Sequence, residues 1–361
     1  MRILQIIDSL EIGGAEKMAV NFANALSSKI EFSGLVATRN EGMLLKQINK
    51  NVNYLFLRKK KAIDFKAIYK LKKYCKENRI NILHAHGSSF FIAVLVKLAL
   101  WKLKIVWHDH NGLREESSKK QTVILKTASF LFNGIIVVNY QLKNWALKEL
   151  NCKNVIYLAN FTTNNEVEDK LTFLKGNEEK KILCLANLRF PKNHLLLIDV
   201  AKKLKISNHD WSFHLVGKDY FDSYSDKLKS EILKNELENH IFLYGSKNDT
   251  QNIINQAQIA ILTSESEGLP VALLEYGLYK KPVVSTNVGE IPLIIKNEIN
   301  GFVVSKFDSS QFYLNLVKLI HDVNLRNKIG NALFETISAN NSEKAIIGIY
   351  TNWLQEKLNG I

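Results

Sequence analysis

The chain alternates short, almost continuously apolar runs with longer stretches in which apolar residues recur every three or four positions. Apolar runs of about four to eight residues are typical of strands covered on both faces, and the longer periodic stretches are typical of helices. Thirteen runs predict strands, at 2–8, 33–38, 53–58, 80–85, 104–108, 134–139, 155–159, 181–187, 212–217, 241–244, 259–263, 282–286 and 301–304. Helical stretches such as 14–28, 65–78, 88–101, 191–206, 250–257 and 271–280 lie between them, which predicts right-handed strand–helix–strand units in parallel sheets.

The alternation stops once and then restarts. A polar stretch at 162–180, rich in Asn, Asp and Glu, separates the first seven predicted strands from the last six. We therefore predict an α/β protein with an N-terminal Rossmann-like domain (1–161), an inter-domain segment (162–180) and a C-terminal Rossmann-like domain with terminal helices (181–361). In such sheets the ligand lies beyond the carboxyl ends of the strands, so we expect a site in a cleft between two facing domains.

The positive charge is confined to the predicted first domain. Of 361 residues with net charge +14, residues 1–160 hold 26 Lys and Arg against 11 Asp and Glu, whereas the remainder hold 23 against 24. This asymmetry predicts an anionic partner for the first domain: a membrane surface, a nucleic acid or a phosphorylated substrate. Nucleic acid is the weakest of these because no recognised nucleic-acid module is present. A lysine-rich genome is the alternative reason for the charge, although it should have raised the net charge of both halves of the chain.

Cysteine usage and hydropathy predict a cytoplasmic protein, at most peripheral on one membrane face. The three cysteines, Cys75, Cys152 and Cys184, are widely spaced and odd in number, which argues against a disulfide framework. The first apolar run meets a charge at Asp8, so it lacks the features of a signal peptide. The longest apolar run, from Phe90 to Trp101, is too short to span a bilayer.

Two loop sequences carry the chemistry of the predicted second domain. In the run from Ser264 to Glu275, a strand ends, a glycine turn follows and a helix begins. Glu267 and Glu275 can accept hydrogen bonds from paired hydroxyls, while the N–H groups of Gly268 and Leu269 face an anion. A ligand that carries both paired hydroxyls and phosphate is a nucleotide sugar. In the loop after strand 181–187, Arg189 and Lys192 can neutralise a diphosphate. The alternatives are solvated glutamates and exposed loop cations.

The predicted first domain offers a glycine turn and four histidines. Gly13 and Gly14 precede a helix and permit close backbone approach, although a structural turn accounts for them equally simply. Two histidines lie at the end of each of two strands, namely His84 and His86, and His108 and His110. We expect His86 and His110 to contact substrate, and the other two to serve packing. Four histidines on neighbouring strands also leave a zinc site open.

Together, the run Ser264–Glu275, the loop with Arg189 and Lys192 and the turn Gly13–Glu16 resemble family 4 retaining glycosyltransferases with a GT-B fold, over essentially the whole chain. The E-x7-E block is the specific part of the resemblance. The chain departs from the family at Asn187, where many members have arginine, and at Asn160–Thr163, where an Asn-Gly-Val-Asp turn is usual. It contains no D-x-D triplet, which agrees with chemistry that needs no metal.

The resemblance implies a role for each candidate residue. Catalysis would involve Glu267 on the donor sugar, Arg189 and Lys192 on the leaving group, and His86 beside the reacting sugar. Donor binding would involve Gly14, Asn187, Gly268, Leu269 and Glu275, with Glu275 on the ribose. The acceptor side would involve Gly13, His110 and Asn111, in a stretch that looks like the acceptor loop of capsule and cell-surface polysaccharide enzymes.

The implied activity is transfer of a hexosyl unit, with retention, from a nucleotide-diphosphate sugar to a hydroxyl of a glycan, expected to be linked to a polyprenyl diphosphate. No metal or other cofactor is expected. A nucleotide-sugar epimerase and a catalytically silent nucleotide-binding scaffold remain alternatives. The basic run 58–79, with Phe65, Ile68, Leu71, Tyr74 and Cys75 among its lysines, predicts contact with an anionic inner membrane surface, and a plain solvated helix is its alternative.

Overall fold

The computed structural model describes residues 1–111, 119–163 and 170–358, which form two compact units. Unit 1 consists of Met1–Phe161 together with the chain from Glu343 onward, and unit 2 is Thr162–Ser342. The polar stretch predicted to link two domains therefore belongs to unit 2. The end of the chain also differs from the predicted C-terminal domain 181–361, because the last helix is part of unit 1. Part of the linker prediction, 164–169, lies outside the described residues.

Unit 1 is a seven-stranded parallel sheet flanked by helices, in the order β3-β2-β1-β4-β5-β6-β7. Its strands are β1 Arg2–Ser9, β2 Phe32–Asn40, β3 Asn53–Phe56, β4 Ile82–His86, β5 Lys104–Asp109, β6 Gly134–Val137 and β7 Val155–Tyr157. Its helices are α1 Gly14–Leu26, α2 Phe65–Glu77, α3 Phe90–Ala99, α4 Lys119–Ala128, α5 Tyr140–Glu149 and the C-terminal helix Glu343–Lys357.

Unit 2 repeats the same plan with a six-stranded parallel sheet in the order β10-β9-β8-β11-β12-β13. The strands are β8 Lys181–Leu185, β9 Ser212–Val216, β10 Ile241–Leu243, β11 Ile259–Leu262, β12 Val283–Thr286 and β13 Phe302–Val304. The helices are α6 His194–Ser207, α7 Ser223–Lys234, α8 Thr250–Gln256, α9 Val271–Leu278, α10 Ile291–Ile294, α11 Ser309–His321 and α12 Val323–Asn340. All thirteen predicted strands are confirmed, and both units are Rossmann-like. We number the C-terminal helix α13.

The two faces of the unit 1 sheet are filled differently. Along β4, Leu83 and Ala85 point into the hydrophobic core that includes residues of α2 to α5. Alternation along the strand turns His84 and His86 to the opposite face, where the ring of Phe22 in α1 lies 5.1 Å from that of His84. The histidines of β4 are therefore enclosed by helices and are not laid open along the sheet.

Helix α13 belongs to unit 1 because its side chains bond to that unit. The Tyr350 hydroxyl lies 3.0 Å from His84 Nδ1, and the Trp353 indole donates to Asn154 Oδ1 at 3.1 Å. At the start of the helix, Glu343 pairs with Lys29 of unit 1 at 3.2 Å. The sequence did not indicate that the chain returns to unit 1 at Glu343, because the helical pattern after residue 310 continues without a break. In the described part of the chain, no helix combines the length and the apolarity needed to cross a bilayer.

Candidate functional site

Two loops meet at the carboxyl edge of the unit 2 sheet. Strands β8 and β11 are neighbours, and the chain proceeds from β8 to β9 on one side and reaches β11 on the other, which makes this gap the switch point of the sheet. The loops that follow the two strands are joined by hydrogen bonds: Thr263 Oγ1 donates to the Lys192 carbonyl at 2.9 Å, and the N–H of Glu265 donates to the Pro191 carbonyl at 2.8 Å. The predicted donor residues on these loops are thus held together.

The centre of this junction is an ion pair between Lys192 Nζ and Glu267 Oε1. Ser264 Oγ donates to the same carboxylate oxygen at 2.6 Å. Both side chains are partly shielded, Glu267 being 11% exposed and Lys192 21%. The sequence assigned these residues to different parts of a ligand, and the structure shows that each neutralises the other in the described chain. A diphosphate that approaches Lys192 has to compete with the carboxylate of Glu267.

A glycine fixes the turn that carries Glu267. Gly289 has φ +57°, and an added Cβ would overlap the carbonyl oxygen of Glu267. The next N–H, that of Glu290, donates to the Gly268 carbonyl at 3.1 Å. The loop after β12 therefore packs directly beneath the Glu267–Gly268 peptide. This support was missed in the sequence, where Val288-Gly289-Glu290 carries no motif that we interpreted.

Helix α9 starts three residues after Gly268, with Pro270 at its N-cap. The backbone at Gly268 and Leu269 leads into the positive end of this helix, a place that favours an anion. Glu275 is buried in the second turn. The predicted set of Glu267, Gly268, Leu269 and Glu275 is thus gathered in one turn and one helix of unit 2.

Asn187 and Arg189 have different surroundings. The Asn187 side-chain oxygen accepts the N–H of Lys218 at 2.8 Å, which ties the loop to the chain after β9. This oxygen is engaged in the structure of the loop, and any contact of Asn187 with a donor stays a prediction. Arg189 is exposed, and its carbonyl accepts the N–H of Lys192 at 2.9 Å. Its side chain is therefore open to solvent, and its contact with a donor stays a prediction.

In unit 1, the four histidines form an array of stacked rings, which we call the histidine stack: His84, His86, His108 and His110. Ring centroids are 4.4 Å apart for His84 and His86 and 3.9 Å apart for His108 and His110. Hydrogen bonds cross between the strands, at 3.2 Å from His84 Nε2 to His108 Nδ1 and at 2.8 Å from His86 Nδ1 to His110 Nε2.

His86 bonds to Gln5 on one side and to His110 on the other. His86 Nε2 lies 2.8 Å from the Gln5 side-chain oxygen. Its other ring nitrogen, Nδ1, lies 2.8 Å from His110 Nε2. His86 is completely buried and uses both ring nitrogens within the protein. In this arrangement it reaches a ligand only through His110, and a direct contact stays a prediction.

Burial keeps the stack uncharged. Loss of hydration lowers the pKa of His84, His86 and His108 well below the usual value, with smaller contributions from neighbouring rings. The same cause lowers the pKa of His110 to about 3. The stack is therefore neutral at physiological pH and offers hydrogen bonds to a ligand, not charge.

Among the described residues, the histidine stack is also where a metal ion could be held. One ring nitrogen from each of His84, His86 and His108 lies within 4.8 Å of the others. Zinc requires nitrogens about 2.0–2.1 Å from the ion with lone pairs that converge on it. Here the rings are stacked, and the nitrogens of His84 and His86 bond to neighbouring rings, Tyr350 and Gln5. The geometry fits a hydrogen-bonded core better than a metal centre.

The glycine turn before α1 is occupied by the chain itself. An added Cβ on Gly13 would overlap the carboxylate of Glu16, which folds back over the start of its own helix. A glutamate at this position satisfies the free N–H groups of a helix, as in a capping box. The carboxylate of Glu16 therefore lies beside Gly13, at the end of α1 that attracts an anion. The remaining acceptor-side residue, Asn111, donates through Nδ2 to Asp109 at 2.7 Å.

Two family models match the chain, one for each unit. Residues 12–159 match the model described as Glycosyltransferase Family 4, and residues 165–335 match that of Glycosyl transferases group 1.

Two curated relatives extend the match. The UDP-Gal:alpha-D-GlcNAc-diphosphoundecaprenol alpha-1,3-galactosyltransferase of Escherichia coli is 26% identical over 300 residues, which are 74% of this chain and 75% of the relative. The capsular polysaccharide biosynthesis glycosyltransferase CapH of Staphylococcus aureus is 24% identical, with 99% and 98% of the two chains covered.

The fold has solved counterparts as well. HepE of Anabaena, crystallised with UDP and glucose, superposes with a TM-score of 0.80 at 16% identity, over 99% of this chain and 100% of its own. The two Rossmann-like sheets, the order of the matched models and this superposition agree with the GT-B fold. The chain belongs to the family 4 glycosyltransferases, with a family 4 domain in unit 1 and a group 1 domain in unit 2.

Proposed function

We propose that this glycosyltransferase transfers a hexosyl unit, with retention, from a nucleotide-diphosphate sugar to a hydroxyl of a glycan in the synthesis of a surface polysaccharide. The observation that carries the proposal is the ion pair of Lys192 and Glu267, on adjoining loops at the switch point of unit 2 and beside the start of α9. Cation, carboxylate and helix N-terminus are the groups that a diphosphate and a sugar hydroxyl require.

The donor would bind by exchange within this pair. Its diphosphate would take the Lys192 ammonium and the N–H groups at Gly268 and Leu269, with Arg189 at the exposed side. Glu267, released from Lys192, would accept hydrogen bonds from sugar hydroxyls, and Glu275 those of the ribose. The UDP found in the HepE crystal supports a nucleotide in this fold, and the family assignment supports its use as a donor.

The reaction would proceed with charge stabilisation alone. As the bond between the anomeric carbon and the phosphate oxygen breaks, negative charge grows on the diphosphate, where Lys192 and Arg189 stabilise it. The acceptor hydroxyl would attack from the same face and give its proton to the leaving phosphate, which explains retention without a protein nucleophile. His110, neutral in the folded chain, would orient a hydroxyl through a hydrogen bond. No metal ion is assigned a part in this scheme.

The acceptor would be a glycan on a polyprenyl diphosphate. The name of the Escherichia coli relative specifies an acceptor of this kind, and the relative from Staphylococcus aureus is named for capsular polysaccharide biosynthesis. The excess of Lys and Arg in residues 1–160 is consistent with a phosphorylated acceptor bound at unit 1.

An anionic membrane surface is the further partner we propose for unit 1. Most of the apolar residues of α2 that were predicted to contact the membrane face inward instead. Leu71 and Cys75 are buried, and Ile68 and Tyr74 pack on the core. The outer face of α2 instead exposes Phe65 (81%) and Tyr69 (68%) among lysines. Exposed aromatic rings among lysines suit the headgroup region of an anionic bilayer.

The proposed activity is tested by incubating the purified protein with a panel of nucleotide sugars and a synthetic acceptor of the polyprenyl-diphosphate type. Transfer with retention, read from the anomeric coupling constant of the product, is the expected outcome. An epimerised donor would point to the epimerase alternative, and binding without turnover to the scaffold. Flotation with vesicles with and without phosphatidylglycerol tests the membrane surface, and binding that ignores lipid charge would contradict it.

A further inference from the structure

The carboxyl edge of the unit 1 sheet holds a second group of polar residues, apart from the histidine stack. Strands β3, β2, β1 and β4 lie side by side in that order, so the residues at their ends form a row. The row contains Lys59 beyond β3, Thr38 and Arg39 at the end of β2, Asp8 in β1 and Ser88 beyond β4. We call it the edge cluster.

A bulge between β1 and β2 shapes the edge cluster. Ile7 pairs with Ala37 and Ser9 with Asn40, so that Asp8 alone stands opposite two residues of β2. Bulges re-aim side chains and are common beside functional sites. Here Thr38 Oγ1 donates to one oxygen of Asp8, and Arg39 Nε lies 3.9 Å from the other. The bulge therefore brings a hydroxyl and a guanidinium of one strand to the same carboxylate.

Asp8 has its hydrogen-bonding capacity largely filled by this cluster. Its second oxygen also accepts Ser88 Oγ at 2.6 Å, so hydroxyls from β2 and from the chain after β4 hold it on two sides. Asp8 thus anchors the row and neutralises one cation. The cluster thus contains two cations, Arg39 and Lys59, and one carboxylate, with Asp64 as a further carboxylate that acts on Lys59 from outside it.

Lys59 is the residue with no structural use for its charge. It is only 6% exposed, and its backbone N–H is fixed by the Thr38 carbonyl at 2.7 Å. Within the described residues, its ammonium has neither a hydrogen bond nor a carboxylate within 4.0 Å. Burial lowers the pKa of Lys59 and Arg39 adds to this, whereas the carboxylates of Asp8 and Asp64 oppose it. A buried ammonium without a partner destabilises a fold, so a ligand is the simplest reason for its position.

We propose that Lys59 and Arg39 bind a phosphate or diphosphate group of the acceptor at the carboxyl edge of β3 and β2. The proposal rests on the proposed function, since it names the part of unit 1 that would hold the acceptor's diphosphate. An ammonium supplies three donors and a guanidinium a planar fork, and together they match the oxygens of a diphosphate. Thr38 and Ser88 each donate a hydrogen bond to Asp8. The site differs from the basic outer face of α2, because Lys59 is buried.

Inorganic pyrophosphate is the probe, with binding measured by calorimetry. Because pyrophosphate can also bind the donor loops, the titration uses Lys192→Gln as the background and compares it with Lys192→Gln/Lys59→Gln and Lys192→Gln/Lys61→Gln. Lys61 lies two residues away in the same loop and is exposed. We expect the added Lys59→Gln to weaken pyrophosphate about tenfold or more, and the added Lys61→Gln to leave the affinity within about twofold.

Three binding results would overturn the proposal. The first is equal affinity for pyrophosphate in both double variants, and the second is glucuronate that binds as tightly as pyrophosphate. The third comes from vesicle flotation with phosphatidylglycerol, in which Lys59→Gln should bind like the wild type. A loss confined to Lys59→Gln would assign Lys59 to lipid headgroups instead of the acceptor.

Activity separates this proposal from the proposed function. Without acceptor, slow donor hydrolysis by Lys59→Gln should equal that of the wild type, while transfer to the diphosphate-linked acceptor falls about tenfold or more. Equal loss of hydrolysis and transfer would overturn the site, since it would show a structural effect. If the wild type consumes no nucleotide sugar at all, the proposed function fails, whereas the pyrophosphate titration still decides whether the anion site exists.

Discussion

Lys192 and Glu267 form an ion pair across two loops that follow adjacent strands of unit 2. The pair has a consequence for how a donor binds. A cation that awaits a diphosphate would repel neighbouring cations such as Arg189 if it stood alone, whereas the carboxylate of Glu267 holds it in position at little electrostatic cost. The same carboxylate is set free for a sugar hydroxyl when the diphosphate arrives, so that one exchange prepares both contacts.

The first prediction concerns the two partners of this pair. Lys192→Ala should lower kcat about 10²–10³-fold, because charge on the leaving diphosphate loses its main stabilising group. Glu267→Gln keeps a hydrogen-bond acceptor but frees Lys192, so it should raise KM for the donor more than it lowers kcat. Steady-state kinetics with a range of donor concentrations measure both. Lys202→Ala, an exposed lysine on α6, is the control, and full turnover by Lys192→Ala would refute the leaving-group role.

A second prediction compares two glycines with the same kind of backbone. Gly289 and Gly245 both have positive φ, so the backbone conformation alone should make alanine cost about 1 kcal/mol of unfolding free energy at either position, and the overlap at Gly289 adds to that cost. Only at Gly289 does the new Cβ overlap the Glu267 carbonyl, while nothing lies within 4 Å at Gly245. Gly289→Ala should therefore also lower donor affinity. Urea unfolding and donor titration measure the two effects, and equal donor affinity in both variants would contradict the support that we assign to the Gly289 loop.

A third prediction follows from the neutral histidine stack. The pKa of each ring lies below its unfolded value of about 6.5, that of His110 at about 3. The unfolded chain then binds more protons than the folded one as pH falls below about 6.5, so unit 1 loses stability with acid. Each ring that stays neutral in the folded chain adds about one proton to the slope as pH falls below about 6.5. The stability is fully present above about pH 6.5.

Urea unfolding between pH 5 and 8 measures this dependence. His110→Asn should reduce the slope by close to one proton. Burial also lowers the pKa of His194 to about 4 and of His214 to about 3, so unit 2 has its own, smaller acid response. A spectroscopic probe in unit 1, such as Trp107 fluorescence, separates the two. A flat profile would show that the stack takes up protons while folded.

The strands and the donor loops could be predicted from the sequence because the signals are local. A buried parallel strand is a continuous apolar run, and the Glu267 to Glu275 block lies within one strand end, one turn and one helix. The pairing of Lys192 with Glu267 was not predicted. Its partners are 75 residues apart, and only the adjacency of β8 and β11 brings them together.

The features that were missed in unit 1 also depend on distant contacts. The histidines at the strand ends predicted a site. The sequence did not indicate that Tyr350, near the end of the chain, bonds to His84 and completes the enclosure of the stack. One local signal was present: Gln5 interrupts an apolar strand, and a buried polar side chain requires a partner. For α2, the apolar residues that we predicted to face the membrane mostly pack on the core of unit 1. An apolar face of a helix faces the core of a protein more often than a membrane.

A fourth prediction tests the link between α13 and the histidine stack. Tyr350→Phe removes the hydroxyl that lies 3.0 Å from His84 Nδ1 and leaves a buried ring nitrogen without its partner, so it should lower the unfolding free energy by about 1–3 kcal/mol. Tyr313→Phe, which removes an exposed hydroxyl bonded to Ser207, is the matched control and should change it by less than about 0.5 kcal/mol. Hydrogen exchange should show the loosening in unit 1, and protection lost only in unit 2 would contradict the placement of α13.

The fifth prediction is that removing a charge stabilises the protein. Lys59 is buried without a partner for its ammonium, and its lowered pKa means that the charged form is worse placed in the folded chain than in the unfolded one. Lys59→Met keeps the length of the stem, so the unfolding free energy should rise by about 1 kcal/mol, or the melting temperature by about 2–4 °C. Lys61→Met should change neither, since Lys61 is exposed. If Lys59 serves ligand binding, Lys59→Met should be more stable than the wild type and should no longer bind pyrophosphate. A residue that is kept for function often lowers the stability of the fold. If Lys59→Met instead destabilises the protein, then its ammonium contributes to folding, and the case for a ligand at the edge cluster falls with it.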